Sequence, residues 1–214
     1  MTMFTVLGGT GYAGSRIVAE AARRGLGVTS WSRTPPERRT PGAVFRTGDL
    51  QDRAVLDRAV EGADVVIGAL SPRGALDGRL RGVYADLAGI AESRGTRLGI
   101  VGGAGSLLIR EGGPVLMDTP GFPKELAAEP RQLAEVLGDL RAHEGPLDWF
   151  FVSPAGGFGA HDPGEALGRY RVGGDVLLTD DQGASFISGA DFAKALIDEV
   201  AAPVHHRERF TVAY

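Results

Sequence analysis

An α/β fold built on a doubly wound parallel sheet follows from three observations. Short β-like runs alternate with helix-period stretches up to Val152; the first run feeds a glycine cluster that opens directly into a helical pattern; and 214 residues suit one compact domain. The expected organisation is therefore a single Rossmann-like unit over 1–214, with 153–189 as a small segment on the substrate side.

The β-like runs are MFTVL (3–7), GVTSW (27–31), AVFRT (43–47), DVVIG (64–68), RLGIV (97–101) and DWFFV (148–152). Between them the apolar spacing predicts helices from Gly11 to Arg24, from Asp52 to Glu61 and from Leu76 to Arg94. A fourth starts near Pro130, with Leu133, Val136, Leu137 and Leu140 as its buried stripe. After Val152 the texture changes to PAGGFGAHDPGEALG and the short strand-like pieces YRV and DVLLT, which reads as a lid or substrate wall. A last helix is expected over Ala190–Ala201, carrying Phe192, Leu196, Ile197 and Val200 on one side, followed by the β-like RFTVAY.

Composition narrows the partners. A net charge of −4 with 23% charged residues gives neither the basic field that nucleic acid requires nor a polybasic anchor for a membrane. No apolar run approaches the roughly 20 residues of a membrane span, and MTMFTVLGG lacks the basic-then-apolar order of a secretion signal, so a cytoplasmic protein is expected. The chain has no cysteine, which removes disulfides and thiolate chemistry. None of His143, His161, His205 and His206 pairs with another at the i, i+4 zinc-binding spacing, so no metal site is expected. The expected partner is a small-molecule acceptor, for a monomer or a homodimer.

The glycine turn carries the first chemical signal. Gly8, Gly11 and Gly14 form G-x-x-G-x-x-G while Gly9, Gly11 and Gly14 form G-x-G-x-x-G, at the end of the first strand and the start of the first helix. Glycine there allows the sharp turn, lets bare backbone approach a pyrophosphate and lets the helix pack on the strand. The helix start then offers free N–H groups and the positive end of its dipole. A tight structural turn without a ligand would also favour glycine; the position of the motif at the first strand favours a dinucleotide.

Further along, about 20 residues past the turn, NAD-preferring folds place an acid on the ribose 2′-hydroxyl. Here the residues are Ser32, Arg33 and Thr34, and no carboxylate appears before Glu37. Arg33, helped by Arg38 or Arg39, suits a 2′-phosphate, which favours NADP (NADPH) over NAD. Asp49 could accept from an adenine amino group with Leu50 packed on the ring, or could serve a helix cap, although Asp52 is better placed as the cap. Ala69, Leu70 and Ser71 follow the fourth strand and should pass beneath the cofactor ribose.

With these pieces in order the chain resembles the atypical short-chain dehydrogenase/reductase superfamily, and within it the NmrA-like NAD(P)H-binding group that takes in candidate NADH-flavin reductases and is related to biliverdin reductase B. The likeness is carried by GGTGYAG (8–14), GDL (48–50), VGGAGSL (101–107), DWFFVSPAGGF (148–158), YRVGGDVLLTD (170–180), ISGADFAKALIDE (187–199) and RFTVAY (209–214). It implies that Gly8, Gly9, Thr10, Gly11, Tyr12, Ala13 and Gly14 cradle the pyrophosphate and that Arg33 meets the 2′-phosphate. It further implies that Gly102, Gly103 and Ala104 flank the nicotinamide, with Ser153, Pro154 and Ala155 beside it and Phe158 closing over it. In ISGADFA, Ser188 and Asp191 match a capping box.

Catalytic residues are harder to assign. Classical members of the superfamily use Tyr-x-x-x-Lys, but Lys124 is preceded at that spacing by Pro120 and Lys194 by Ala190, while Tyr84 is followed four on by Ala88. The pair is absent, and arginine stays charged and cannot replace the lysine in proton exchange. Hydride transfer to a flavin needs no such acid, because stacking two rings supplies most of the catalysis. Ser106 is the candidate catalytic side chain, placed to hydrogen-bond a substrate or the nicotinamide amide, with a loop-capping hydroxyl as the alternative. Phe158 and Tyr170 could stack on an isoalloxazine ring or fill the core. The loop MDTPGFPKE (117–125) is expected near the pocket. The sequence thus predicts an NAD(P)H-dependent reductase with a flavin or similar planar acceptor; the alternative is a non-catalytic NADP(H) sensor of NmrA type.

Overall fold

The computed structural model describes residues 2–214. Its single eight-stranded sheet has the order β3-β2-β1-β4-β5-β6-β8-β7. The strands are β1 (Met3–Leu7), β2 (Gly27–Ser32), β3 (Ala43–Thr47), β4 (Val65–Gly68), β5 (Arg97–Val101), β6 (Trp149–Ser153), β7 (Arg171–Gly173) and β8 (Glu208–Ala213). All neighbouring pairs are parallel except β7 on β8. The order 3-2-1-4-5-6 is that of the doubly wound dinucleotide fold, with a cleft at the carboxyl ends of the strands.

The helices are α1 (Tyr12–Arg23), α2 (Arg53–Val60), α3 (Leu80–Arg94), α4 (Ala128–Ala142) and α5 (Gly189–Ala201). The two-residue strand period splits the core. Phe4 and Val6 of β1, with Phe150 and Val152 of β6, face α1 and α5 together with Ile17, Phe192 and Leu196. Leu7, Trp149 and Phe151 face the other way, toward α2, α3 and α4. The central strands β4, β5 and β6 are buried along their whole length, as parallel strands covered on both faces must be.

Three expected elements change. The stretch from Leu76 does not run as one helix: a 3-10 turn spans Gly74–Leu76, Gly78 takes φ +69° and α3 starts only at Leu80. In DVLLT, Val176 makes only an isolated bridge to Leu108, leaving Arg171–Gly173 as the strand of that region. α4 begins at Ala128, so Pro130 lies inside its first turn, where its missing N–H costs nothing.

The predicted capping box is half made. The Asp191 N–H donates to Ser188 Oγ at 3.1 Å, but the Asp191 carboxylate does not return to the Ser188 N–H, which donates to Tyr214 Oη. It accepts instead from Leu167 N–H at 2.6 Å, from Gly168 N–H and from Tyr214 Oη. Asp191 therefore fastens the far part of the 153–189 segment to α5, and only Pro154 to His161 of that segment reaches the cleft.

Candidate functional site

A cleft of about 790 Å³ crosses the carboxyl edge of the sheet, within the size range of small-molecule sites. One end is formed by Ser32, Arg33, Asp49 and Leu50 after β2 and β3, and its middle by Gly8, Thr10, Gly11, Tyr12, Ala13 and Ala69 to Ser71. Its other end is walled by Gly102 to Gly105 after β5, Pro154 to Gly156 and Phe158 to His161 after β6, and Leu116, Phe122, Pro130 and Leu133 from the α4 side.

The glycine turn is built by close approach. Gly8 has φ +83°, and a Cβ there would lie 2.4 Å from the Ala69 carbonyl oxygen. Gly9 and Gly14 do not line the cleft: a Cβ on Gly14 would meet the Gly8 carbonyl oxygen at 2.2 Å, and one on Gly9 would meet Ser30 Oγ at 2.1 Å. These two glycines bring strand and helix together, and the others lie open to the cleft. The N-cap of α1 is Gly11, which has no side chain to cap it, so the amides of the first turn are left without a side-chain partner where Gly11, Tyr12 and Ala13 line the cleft. That arrangement of free donors and dipole suits a diphosphate.

At the first end Arg33 is exposed and, among the described residues, makes no ion pair. Ser32 Oγ donates to the Thr34 carbonyl at 2.6 Å, which orders the turn that carries Arg33. Asp49 accepts from the Gln51 N–H at 3.0 Å, and Asp52, as expected, caps α2 through the Ala54 N–H. Arg38 and Arg39 do not line the cleft.

Several sequence candidates are not brought to the other end. Tyr170 is turned away from the cleft: its hydroxyl donates to Asp198 at 2.5 Å and Lys194 sits 5.0 Å from its ring, because α5 offers that pair. Ser106 does not line the cleft, since its Oγ and carbonyl both accept from Arg209, at 2.9 and 3.1 Å. Ser153 is fully buried behind the wall. Lys124 is exposed and outside the lining. Tyr84 is buried outside the cleft lining with its hydroxyl accepting from Leu70 N–H at 3.3 Å, and burial pushes that hydroxyl well above its ordinary range.

Other residues join the site that composition and spacing did not reveal. Arg73 and Ser71 both reach the carboxylate of Glu129, at 2.6 and 3.1 Å, bridging the loop after β4 to the start of α4. Phe122 lies in the loop expected near the pocket, whereas Leu133 reads in sequence as part of a buried stripe. Phe158 packs edge-on to Tyr12 and against Phe192. Among the described residues no cluster of His, Asp and Glu could hold a metal ion, and no helix is long and apolar enough to cross a membrane.

The family model for NAD(P)H-binding proteins matches residues 8–203, from the glycine turn to just past α5. The chain belongs to the NAD(P)H-binding family. Three solved structures of similar chains agree with the family fold across their length. A candidate epimerase from Bacteroides thetaiotaomicron is 34% identical, with a TM-score of 0.89 over 100% of this chain and 97% of that one. A candidate exported protein from Burkholderia pseudomallei is 38% identical, with a TM-score of 0.88 and full coverage of both chains. A candidate NADH-flavin reductase from Streptococcus pneumoniae is 33% identical, with a TM-score of 0.84 over 100% and 99%. Membership of the NAD(P)H-binding family agrees with what the glycine turn indicates; the three neighbours carry different descriptions, so the acceptor must be argued from the cleft.

Proposed function

We propose that the protein is an NADPH-dependent reductase that passes a hydride to a flavin or a similar planar acceptor. The observation that carries this reading is the open, apolar far end of the cleft. Leu116, Phe122, Leu133 and Phe158 surround it; the tyrosine beside Phe158, Tyr12, is followed four on by Arg16, and no lysine lines the cleft among the described residues. A bound dinucleotide would supply the hydride. The protein's own part is to fix the cofactor at Gly8–Ala13, to select the 2′-phosphate with Arg33, and to press a ring against the Gly102–Ala104 and Pro154–Ala155 backbone. The cleft is open at that end, so water can deliver the proton that balances the hydride. The name of the Streptococcus pneumoniae neighbour supports the same acceptor class.

The sensor reading predicts a cleft filled beyond the cofactor's place, and the open far end weighs against it. Steady-state NADPH oxidation with FMN, FAD, riboflavin and simple quinones tests the proposal. Turnover with at least one planar acceptor is expected; tight NADPH binding with no turnover of any would overturn it.

A further inference from the structure

Three of the segments that carry the family likeness, VGGAGSL, YRVGGDVLLTD and RFTVAY, contribute little side-chain chemistry to the cleft. They meet at one guanidinium. Arg209, on β8, keeps only 2% of its side chain exposed. Its Nη1 donates to the Ser106 carbonyl at 3.1 Å and to Ser106 Oγ at 2.9 Å. Its Nε donates to Asp175 Oδ1 at 2.6 Å, and its Nη2 reaches the Asp175 carbonyl at 3.3 Å. Arg141 of α4 closes the cluster on Asp175 at 2.6 Å.

Burial works against the charge of both partners. It draws Arg209 below its ordinary range despite Asp175, while Arg141 and Arg209 outweigh it at Asp175 and hold that carboxylate below the usual range. A charge kept in such a place at a desolvation cost, with its donors spread over two loops, fixes geometry more than it adds stability. The loop that it fixes is the far wall of the cleft. Ser106 ends the run Gly102–Gly105, whose residues all line the cleft, and the run has no side chains beyond one methyl with which to hold itself in place. Gly102 and Gly105 are themselves in tight contact: a Cβ would come to 1.9 Å from Phe151 on the first and 2.4 Å from Pro130 on the second.

We infer that Arg209 is a positioning residue for the proposed hydride transfer: through Ser106 it sets the Gly102–Gly105 wall against which the nicotinamide and acceptor rings are pressed. The inference rests on the reductase reading for its effect on turnover, but its effect on binding needs only a nicotinamide cofactor. The wall stands at the end of the cleft remote from Arg33, so loosening it weakens the hold on the nicotinamide half and spares the adenosine half.

The test measures dissociation constants of NADPH and of 2′,5′-ADP, which lacks the nicotinamide, together with kcat for acceptor reduction. For Arg209→Met the expected result is NADPH binding weaker by about tenfold, 2′,5′-ADP binding changed by less than about twofold, and kcat down by about tenfold or more. Arg209→Lys keeps the charge without the fork, and should recover part of both losses. Ser106→Ala removes a single hydroxyl, leaves the carbonyl arm in place, and carries the test if the Met variant does not fold; about a threefold shift of the NADPH to 2′,5′-ADP ratio is expected. Equal weakening of both ligands, or no change in either with either variant, would overturn the inference. A wild-type protein that binds NADPH yet reduces no acceptor would sink the reductase reading while leaving the binding ratio to decide the role of Arg209.

Discussion

The two ends of the cleft are built from different chemistry. At the Arg33 end, charge and backbone donors stand at the start of α1 and the end of β2, and each is of a kind that suits a phosphate. At the Phe122 end bare backbone and apolar side chains predominate, and Arg73 is already paired with Glu129. On the proposed reading, the contrast means that the cofactor is specified closely and the acceptor loosely. Discrimination by unpaired charges is strong, whereas an apolar slot separates flat molecules by only a few kcal/mol.

The sharpest way to break the comparison is to damage the shared middle. Gly8→Ala forces a side chain onto φ +83° and against the Ala69 carbonyl, a cost of roughly 1–3 kcal/mol from the backbone alone. NADPH and NADH binding should both weaken by about a hundredfold when this strain and the displaced amides combine, as read by fluorescence titration with a melting curve as control.

A smaller change isolates the cofactor end. Arg33→Ala removes charge-assisted bonds worth about 1.5–3 kcal/mol, so NADPH should bind about 10- to 100-fold more weakly while NADH changes by less than about twofold. Equal losses for the two would show that the end does not read the 2′-phosphate. At the other end, Phe122→Ala removes a ring contact worth about 0.5–1.5 kcal/mol, raising the acceptor KM by about three- to tenfold and leaving the NADPH dissociation constant alone.

The smallest effect lies away from the cleft. Burial opposes the charge of Asp198, but hydrogen bonds from Tyr170, Lys194 and Arg24 prevail and hold its pKa at about 2. The stability that this brings is fully present above the ordinary carboxylate range near about 4, and is lost as pH falls toward 2. The groups are about one-third exposed, so Tyr170→Phe should cost less than about 1 kcal/mol at neutral pH, with the difference closing in acid and no change in turnover. A large loss of turnover would return Tyr170 to the acceptor end.

This division also marks what could be read from the sequence. The strands, α1 and the glycine turn were legible because their signals are local: alternation, helical spacing and the glycines at one strand end. Arg33 was legible for the same reason, as a cation standing where an acid usually stands. Ser106 and Tyr170 each kept two readings in the sequence because partners 103 and 28 residues away decide where their hydroxyls point. Leu133 is buried as its helix stripe predicts, but the stripe cannot say that this turn also borders the cleft. Asp191 looked like half of a capping box because the loop at Leu167 that claims its carboxylate is distant in the chain.

The central claim is that the cofactor end and the apolar end work together on one hydride. Its most direct test is a single-turnover measurement of bound NADPH oxidised by a flavin, run with protium or deuterium on the transferred position of the nicotinamide. Oxidation far faster than in free solution, and slowed by deuterium, is expected. Bound NADPH that reacts no faster than free NADPH would contradict the claim.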